Sequence, residues 1–186
     1  MAFIAPAGTP LSPASVLAGL LKGWASPSAE RSLGSGLASV AGHERCWLMN
    51  TGRAGMTVAL SAMRRSSSDP ERCEVIVPAY TCYSVPAAVF KAGLKVRLCD
   101  VNPETLSLDL RCLQAIDTSR SLAIISANLC GLPNQLHEIE QFARQRGLFF
   151  LDDAAQALGP RLGPAGRWVR RHGPVQPRQG QEHHQP

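Results

Sequence analysis

Residues 148–159 read LFFLDDAAQALG, and the reading of this stretch decides the fold. Leu148, Phe149, Phe150 and Leu151 make an unbroken apolar run, the pattern of a strand buried on both faces in a parallel sheet. Asp152 and Asp153 follow at once. In open α/β sheets ligands bind beyond the carboxyl ends of the strands, which is where this pair falls. A carboxylate there can hold a cationic ring nitrogen, a metal ion or a ribose hydroxyl. It can equally cap the helical turn that Ala154, Ala155, Gln156 and Ala157 begin.

Outward from that run, strand and helix patterns alternate. Residues 134–146 form an amphipathic helix with Leu136, Ile139, Phe142 and Ala143 on one side, ended by Gly147. Gly131, Leu132 and Pro133 make the turn before it, and residues 122–125, Leu-Ala-Ile-Ile, the strand before that. Residues 109–116 read as a helix, and residues 96–99 as a strand closed by Asp100. Glu74, Val75, Ile76 and Val77 form a strand ended by Pro78, followed by Ala79-Tyr80-Thr81-Cys82-Tyr83 and a helix that Gly93 stops. This alternation predicts an α/β fold with a mostly parallel sheet, flanking helices and right-handed crossovers. Tyr80, Thr81 and Tyr83, at a strand's carboxyl end, could stack on and hydrogen-bond to a flat ligand, or could equally be packing.

Further upstream, Asn50-Thr51-Gly52-Arg53-Ala54-Gly55 opens a helix whose apolar positions begin at Met56, with Thr51 placed to cap it. The free amides and positive dipole end of such a helix start suit an anion. Small residues at Gly52, Ala54 and Gly55 would let a phosphate reach the backbone; the plain alternative is an ordinary capped helix. Before this, residues 1–44 read as an N-terminal arm and short helices: a loose, proline-rich stretch at residues 1–13, then a short helix at residues 16–24, for which Ser12 is a candidate N-cap. Residues 32–42 carry no assignable pattern.

Composition narrows the function. The chain has 186 residues and a formal net charge of +5, but from Arg161 onward five arginines face one acid, so the body is nearly neutral. That argues against a nucleic-acid-binding face. No signal peptide is evident, and no apolar run approaches the ~20 residues of a membrane span. The six cysteines have no CxxC pair or zinc-like spacing, so no metal site is expected. Several sit in strand-like runs, where a thiol behaves as a small buried hydrophobe. A reduced, cytoplasmic protein fits these features best.

Three segments in one order, the TGRAG turn after Asn50, EVIVPAYTCYSVPAAVFKAGLKVRLCDVN and LDDAAQALG, together resemble the DegT/StrS family of sugar aminotransferases. That family uses pyridoxal 5'-phosphate (PLP) in the aspartate-aminotransferase-like fold (fold type I). The resemblance covers residues 45–162 and implies a partial large domain. It implies a homodimer whose small-molecule substrates are an amino acid donor, glutamate or glutamine, and a nucleotide-linked keto sugar, as in polysaccharide biosynthesis. By the same resemblance the turn at Thr51, Gly52, Arg53 and Ala54 binds the PLP phosphate, Asp153 pairs with the pyridine nitrogen and Gln156 contacts the ring. A carboxylate at that nitrogen keeps the ring protonated and acting as an electron sink. The ring-stacking position, aromatic in the family, falls on Cys82, so Tyr80 or Tyr83 would take over.

One departure is serious. Family members carry a lysine that forms a Schiff base with PLP, about thirty residues past the aspartate in a pattern like FSxGRGKN. This chain has only Lys22, Lys91 and Lys95, all misplaced for that role. The expectation is weak, non-covalent PLP binding and an inactive, truncated product. The alternatives are a non-catalytic PLP- or phosphate-binding regulatory protein and a phosphate-binding module unrelated to PLP. Residues 163–186 lose all pattern and read as a disordered, frameshifted tail. Reading each codon one base later admits LFSLGRGKN across Pro174 to Glu182, with a basic residue forced at Gln179 and at Gln181.

Overall fold

The computed structural model describes residues 12–23, 27–131, 134–157, 161–162 and 168–169. Six helices occur among them: α1 (Pro13–Gly23), α2 (Pro27–Ala41), α3 (Gly52–Ser66), α4 (Ser84–Lys91), α5 (Leu110–Ala115) and α6 (Leu136–Gln145). Four strands, β1 (Glu74–Pro78), β2 (Lys95–Cys99), β3 (Ser121–Ala127) and β4 (Phe149–Asp153), make one sheet in the order β2-β1-β3-β4. Every pairing in that sheet is parallel, as the alternation predicted. Beyond it, Arg161–Leu162 pairs antiparallel with Trp168–Val169. The turn residues Leu132 and Pro133, residues 1–11 of the proline-rich arm and the rest of the 163–186 tail lie outside the described residues.

Side-chain alternation along the strands builds two cores. Val75, Val77, Ala123, Ile125, Phe149 and Leu151 pack with Leu60 of α3 and with Val85 and Val89 of α4. On the other face Ile76, Ile124 and Phe150 pack with Leu113 of α5 and with Ile139, Phe142 and Ala143 of α6. β3 is buried along its whole length, and each such Ile or Leu contributes roughly 1.5–3 kcal/mol. The chain goes from β1 outward to β2, then returns past β1 to β3 and on to β4. Strand order therefore reverses between β1 and β3, and their carboxyl ends flank a crevice of the kind that holds ligands.

Local chemistry sets the element ends. Thr51 Oγ1 accepts from the Ala54 N–H at 3.1 Å, and Asp109 Oδ1 accepts from both Arg111 and Cys112 amides, capping α3 and α5. Ser12 Oγ takes the Ser15 N–H at 3.1 Å, and Pro13 occupies the first position of α1. Gly147, at φ +63, stops α6 in the left-handed conformation that glycine adopts without strain.

Some expectations need correction. Residues 32–42, left without an assignment, lie mostly in α2, which accommodates Gly34 and Gly36. β4 is half-buried throughout rather than buried on both faces, because β3 is its one strand neighbour among the described residues. Residues 154–157 form a turn closed by Ala157 N–H donating to the Ala154 carbonyl, not the start of a described helix. Of the cysteines, Cys99 is buried, whereas Cys46, Cys82 and Cys130 are exposed. No described helix is long and apolar enough to cross a membrane.

Candidate cofactor site

The two neighbouring carboxylates face opposite sides of the sheet. Phe149 and Leu151 belong to the α3/α4 core and Phe150 to the α5/α6 core, so alternation puts Asp153 with the former pair and Asp152 with the latter. Asp153 also acts electrostatically on Cys82, in the loop between β1 and α4, as does Arg53 from α3. Asp153, Cys82 and Arg53 thus meet at one edge of the sheet although Arg53 and Asp153 belong to segments far apart in sequence.

The helix directions account for this meeting. α4 leaves the carboxyl end of β1 and delivers the chain to the start of β2. α3 lies beside it in the same sense: Thr57 of α3 approaches the Ala88 carbonyl, and further along Arg64 donates to the Gly93 carbonyl. The N-terminus of α3 therefore lies at the same edge as Asp153. Helix geometry leaves the Gly52 and Arg53 amides without intrahelical acceptors. A Cβ added at Gly52 would meet nothing within 4 Å, so an anion could approach that amide closely. The Ala54 amide, assigned to phosphate by the family pattern, is instead satisfied by Thr51 Oγ1.

Asp153 does two things. Its Oδ1 accepts from the Ala155 N–H at 3.1 Å, bracing the turn that follows β4. The same carboxylate remains half-buried beside the crevice, where it can pair with a cation. Gln156 is exposed, and its Oε1 accepts from the Cys130 N–H at 2.6 Å, leaving the amide's N–H groups to donate elsewhere. Tyr80 and Tyr83 are 63% and 75% exposed, so neither is core packing. Cys82 is exposed too, and its thiol is held below the usual range chiefly by a hydrogen bond from the Ser84 hydroxyl at 3.1 Å.

The donor set suits a planar phosphorylated cofactor with a basic ring nitrogen. Backbone amides and Arg53 could hold the anion end, Asp153 the cationic nitrogen, and Gln156 could donate to a ring oxygen. Thr81, in the same loop as Cys82, adds a hydroxyl oxygen that is buried yet has no hydrogen-bond partner among the described residues. No cluster of potential metal ligands occurs among the described residues. Lys91 ends α4 and Lys95 begins β2 opposite Glu74, so both sit at the far edge of the sheet from Asp153. Sequence reasoning noted Thr81 but missed Asn128, for which the signal was a polar residue directly after an apolar strand.

This fold and site define the large-domain type of a PLP-dependent enzyme, and comparison with known proteins agrees. The model of the DegT/DnrJ/EryC1/StrS aminotransferase family matches residues 17–172, and the chain belongs to that family, whose members are PLP-dependent. It is 33% identical over 146 residues to L-glutamine:scyllo-inosose aminotransferase of Streptomyces griseus, covering 78% of this chain and 33% of that protein. It is 31% identical over 132 residues to UDP-N-acetyl-3-dehydro-α-D-glucosamine 3-aminotransferase of Acidithiobacillus ferrooxidans, covering 71% of this chain and 34% of that protein. Among solved structures, 3-amino-5-hydroxybenzoic acid synthase superposes with a TM-score of 0.70 at 25% identity, over 83% of this chain and 39% of that one. The chain spans about a third of the length of these curated relatives.

Proposed function

We propose that this chain carries the cofactor-binding front of a PLP-dependent sugar aminotransferase, which moves an amino group from glutamate or glutamine to a keto sugar on a nucleotide. One observation carries the reading: Asp153 and the N-terminus of α3 lie at the same sheet edge and on the same face. Two aminotransferase relatives, one named for L-glutamine and one for a UDP-linked sugar, support the donor and acceptor classes.

When bound, PLP supplies an electron sink for amino transfer. The Gly52 and Arg53 amides, with the Arg53 guanidinium, hold the phosphate. Asp153 keeps a proton on the ring nitrogen by its negative charge; each pKa unit of that effect corresponds to ~1.4 kcal/mol. Gln156 donates to the ring oxygen. Cys82 occupies the position where a stacking ring is expected, and exposed Tyr80 and Tyr83 flank it to supply one.

Lys91 and Lys95 lie at the opposite edge of the sheet; on this reading PLP binding is weak and non-covalent and the chain alone does not transaminate. We assign it to the cytoplasm, and the whole enzyme to a homodimer. PLP titration tests the site: Asp153→Ala and Arg53→Ala should each weaken binding several-fold, in keeping with loss of a charge-assisted contact. Affinity unchanged in both variants would refute the assignment.

A further inference from the structure

Asn128 follows β3 at the carboxyl edge of the sheet and is 2% exposed. By alternation it lies on the α5/α6 face with Ile124 and Ser126, the same face as Asp152 and the opposite face from the Asp153 carboxylate. Its Nδ2 donates to Asp152 Oδ1 at 2.6 Å and to the Asp153 carbonyl at 3.0 Å. Its backbone N–H reaches that carbonyl as well, at 3.2 Å. One buried residue therefore grips the Asp153 peptide twice, and the Asp152 carboxylate fixes the rotamer of the amide that does so. A charge-assisted bond of this kind is among the stronger ones available to an amide donor.

The position of the Asp153 carboxylate depends on that grip. Among the described residues β3 is the one strand beside β4, and the regular β3–β4 pairing stops at Ala127 opposite Asp153. On the C-terminal side the Ala155 amide holds Asp153 Oδ1. Asn128 holds the carbonyl of the Asp153 peptide itself. Between the two, the carboxylate has little freedom to turn away from the crevice.

We propose that Asn128, braced by Asp152, is a positioning residue that aims the Asp153 carboxylate at the cofactor's ring nitrogen from behind the sheet. The proposal rests on the cofactor reading above. Asn128 does not touch the ligand, so its effect shows in ring protonation rather than in phosphate contact.

The test uses the full chain with 4-deoxypyridoxine 5'-phosphate, which has the phosphate and ring nitrogen of the cofactor but no aldehyde to react with lysine. The ring-nitrogen pKa of the bound probe is read from its ultraviolet spectrum. Asn128→Ala should lower that pKa by about one unit, as expected when a carboxylate loses its alignment with a cation. Asp152→Asn should lower it less, and the double variant should match Asn128→Ala, since Asp152 acts through Asn128. Asn134→Ala is the structural control: its amide bonds Ser126 Oγ and the Ala127 carbonyl, one residue from the grip. It should lower the urea midpoint yet leave the ring pKa in place. If Asn128→Ala does not fold, Asp152→Asn decides alone. An unshifted ring pKa in the folded Asn128 variant, or an equal shift from Asn134→Ala, overturns the proposal so long as Asp153→Asn lowers the pKa. If Asp153→Asn has no effect either, the cofactor reading itself fails.

Discussion

Gln156 Oε1 accepts a hydrogen bond from the backbone N–H of Cys130 at 2.6 Å, tying the turn after β4 to the 3-10 turn Leu129–Gly131 after β3. Cys130 sits at φ +55 and ψ +20, a left-handed conformation that costs a residue with a side chain on the order of 1–2 kcal/mol. The Gln156 contact helps hold it there. The bond also settles which end of the amide faces outward, because an oxygen must meet the Cys130 N–H.

Gln156→Ala is therefore expected to lower stability by about 1 kcal/mol and to weaken PLP binding. Gln156→Glu keeps the acceptor but loses the donor, so it should hold the urea midpoint near wild type while still weakening binding. Parallel denaturation and titration experiments check this, and equal stability loss in both variants would count against the assigned orientation.

Thr51 caps the start of α3 through the Ala54 amide at 3.1 Å. Thr51→Ala should cost about 1 kcal/mol, and Thr51→Ser should restore most of it. Urea midpoints measure both. The Ala54 amide freed in Thr51→Ala becomes available to an anion, so affinity for inorganic phosphate should not fall with stability. Phosphate titration of the variant separates capping from binding.

The thiols of Cys82 and Cys99 are set in opposite directions. Burial first, then the neighbouring Cys112 thiol and the Asp100 and Asp109 carboxylates, push Cys99 up to about 12 from its ordinary 9.0. The folded state thus holds this proton more tightly than the unfolded chain does. The resulting stability is complete below pH 9 and is lost as pH rises from 9 toward 12. Cys99→Ala should flatten that alkaline decline in the urea midpoint. At neutral pH, iodoacetamide should modify exposed Cys82, lowered by the Ser84 hydroxyl, well before Cys99. Peptide mass spectrometry after timed quenching gives the order, and faster labelling of Cys99 would contradict it.

The lysine question has a chemical and a genetic test. Borohydride reduction of the chain with PLP should leave none of Lys22, Lys91 and Lys95 specifically labelled, since the two placed by the structure lie across the sheet from Asp153. Stoichiometric labelling of one lysine would refute non-covalent binding. For the proposed frameshift, the gene between the codons of Leu162 and Pro186 should contain a second frame, one base later, with lysine encoded across Gln181 and Glu182. An early stop in that frame would rule it out.

Much of this fold was legible in local pattern. The apolar runs of β1 and β3, the helical period after Met56, the cap at Thr51 and the stop at Gly147 all depend on residues a few positions apart. Such signals survive without knowledge of the partners. The ordering of three motifs was enough to indicate the family that the comparisons support.

What only the tertiary structure decided depends on partners distant in sequence. The residues DD offered two carboxylates, and alternation against the two cores put Asp153, not Asp152, on the α3/α4 face. β4 read as buried on both faces because its side chains are apolar; its place at the sheet's edge leaves it half-buried. For Asn128 the sequence offered no more than a polar residue directly after an apolar strand, since the bonds that give it a role run to Asp152 and Asp153, more than twenty residues away. A sequence states which groups are available; the packing of strand against strand determines which face each group reaches and what it can hold.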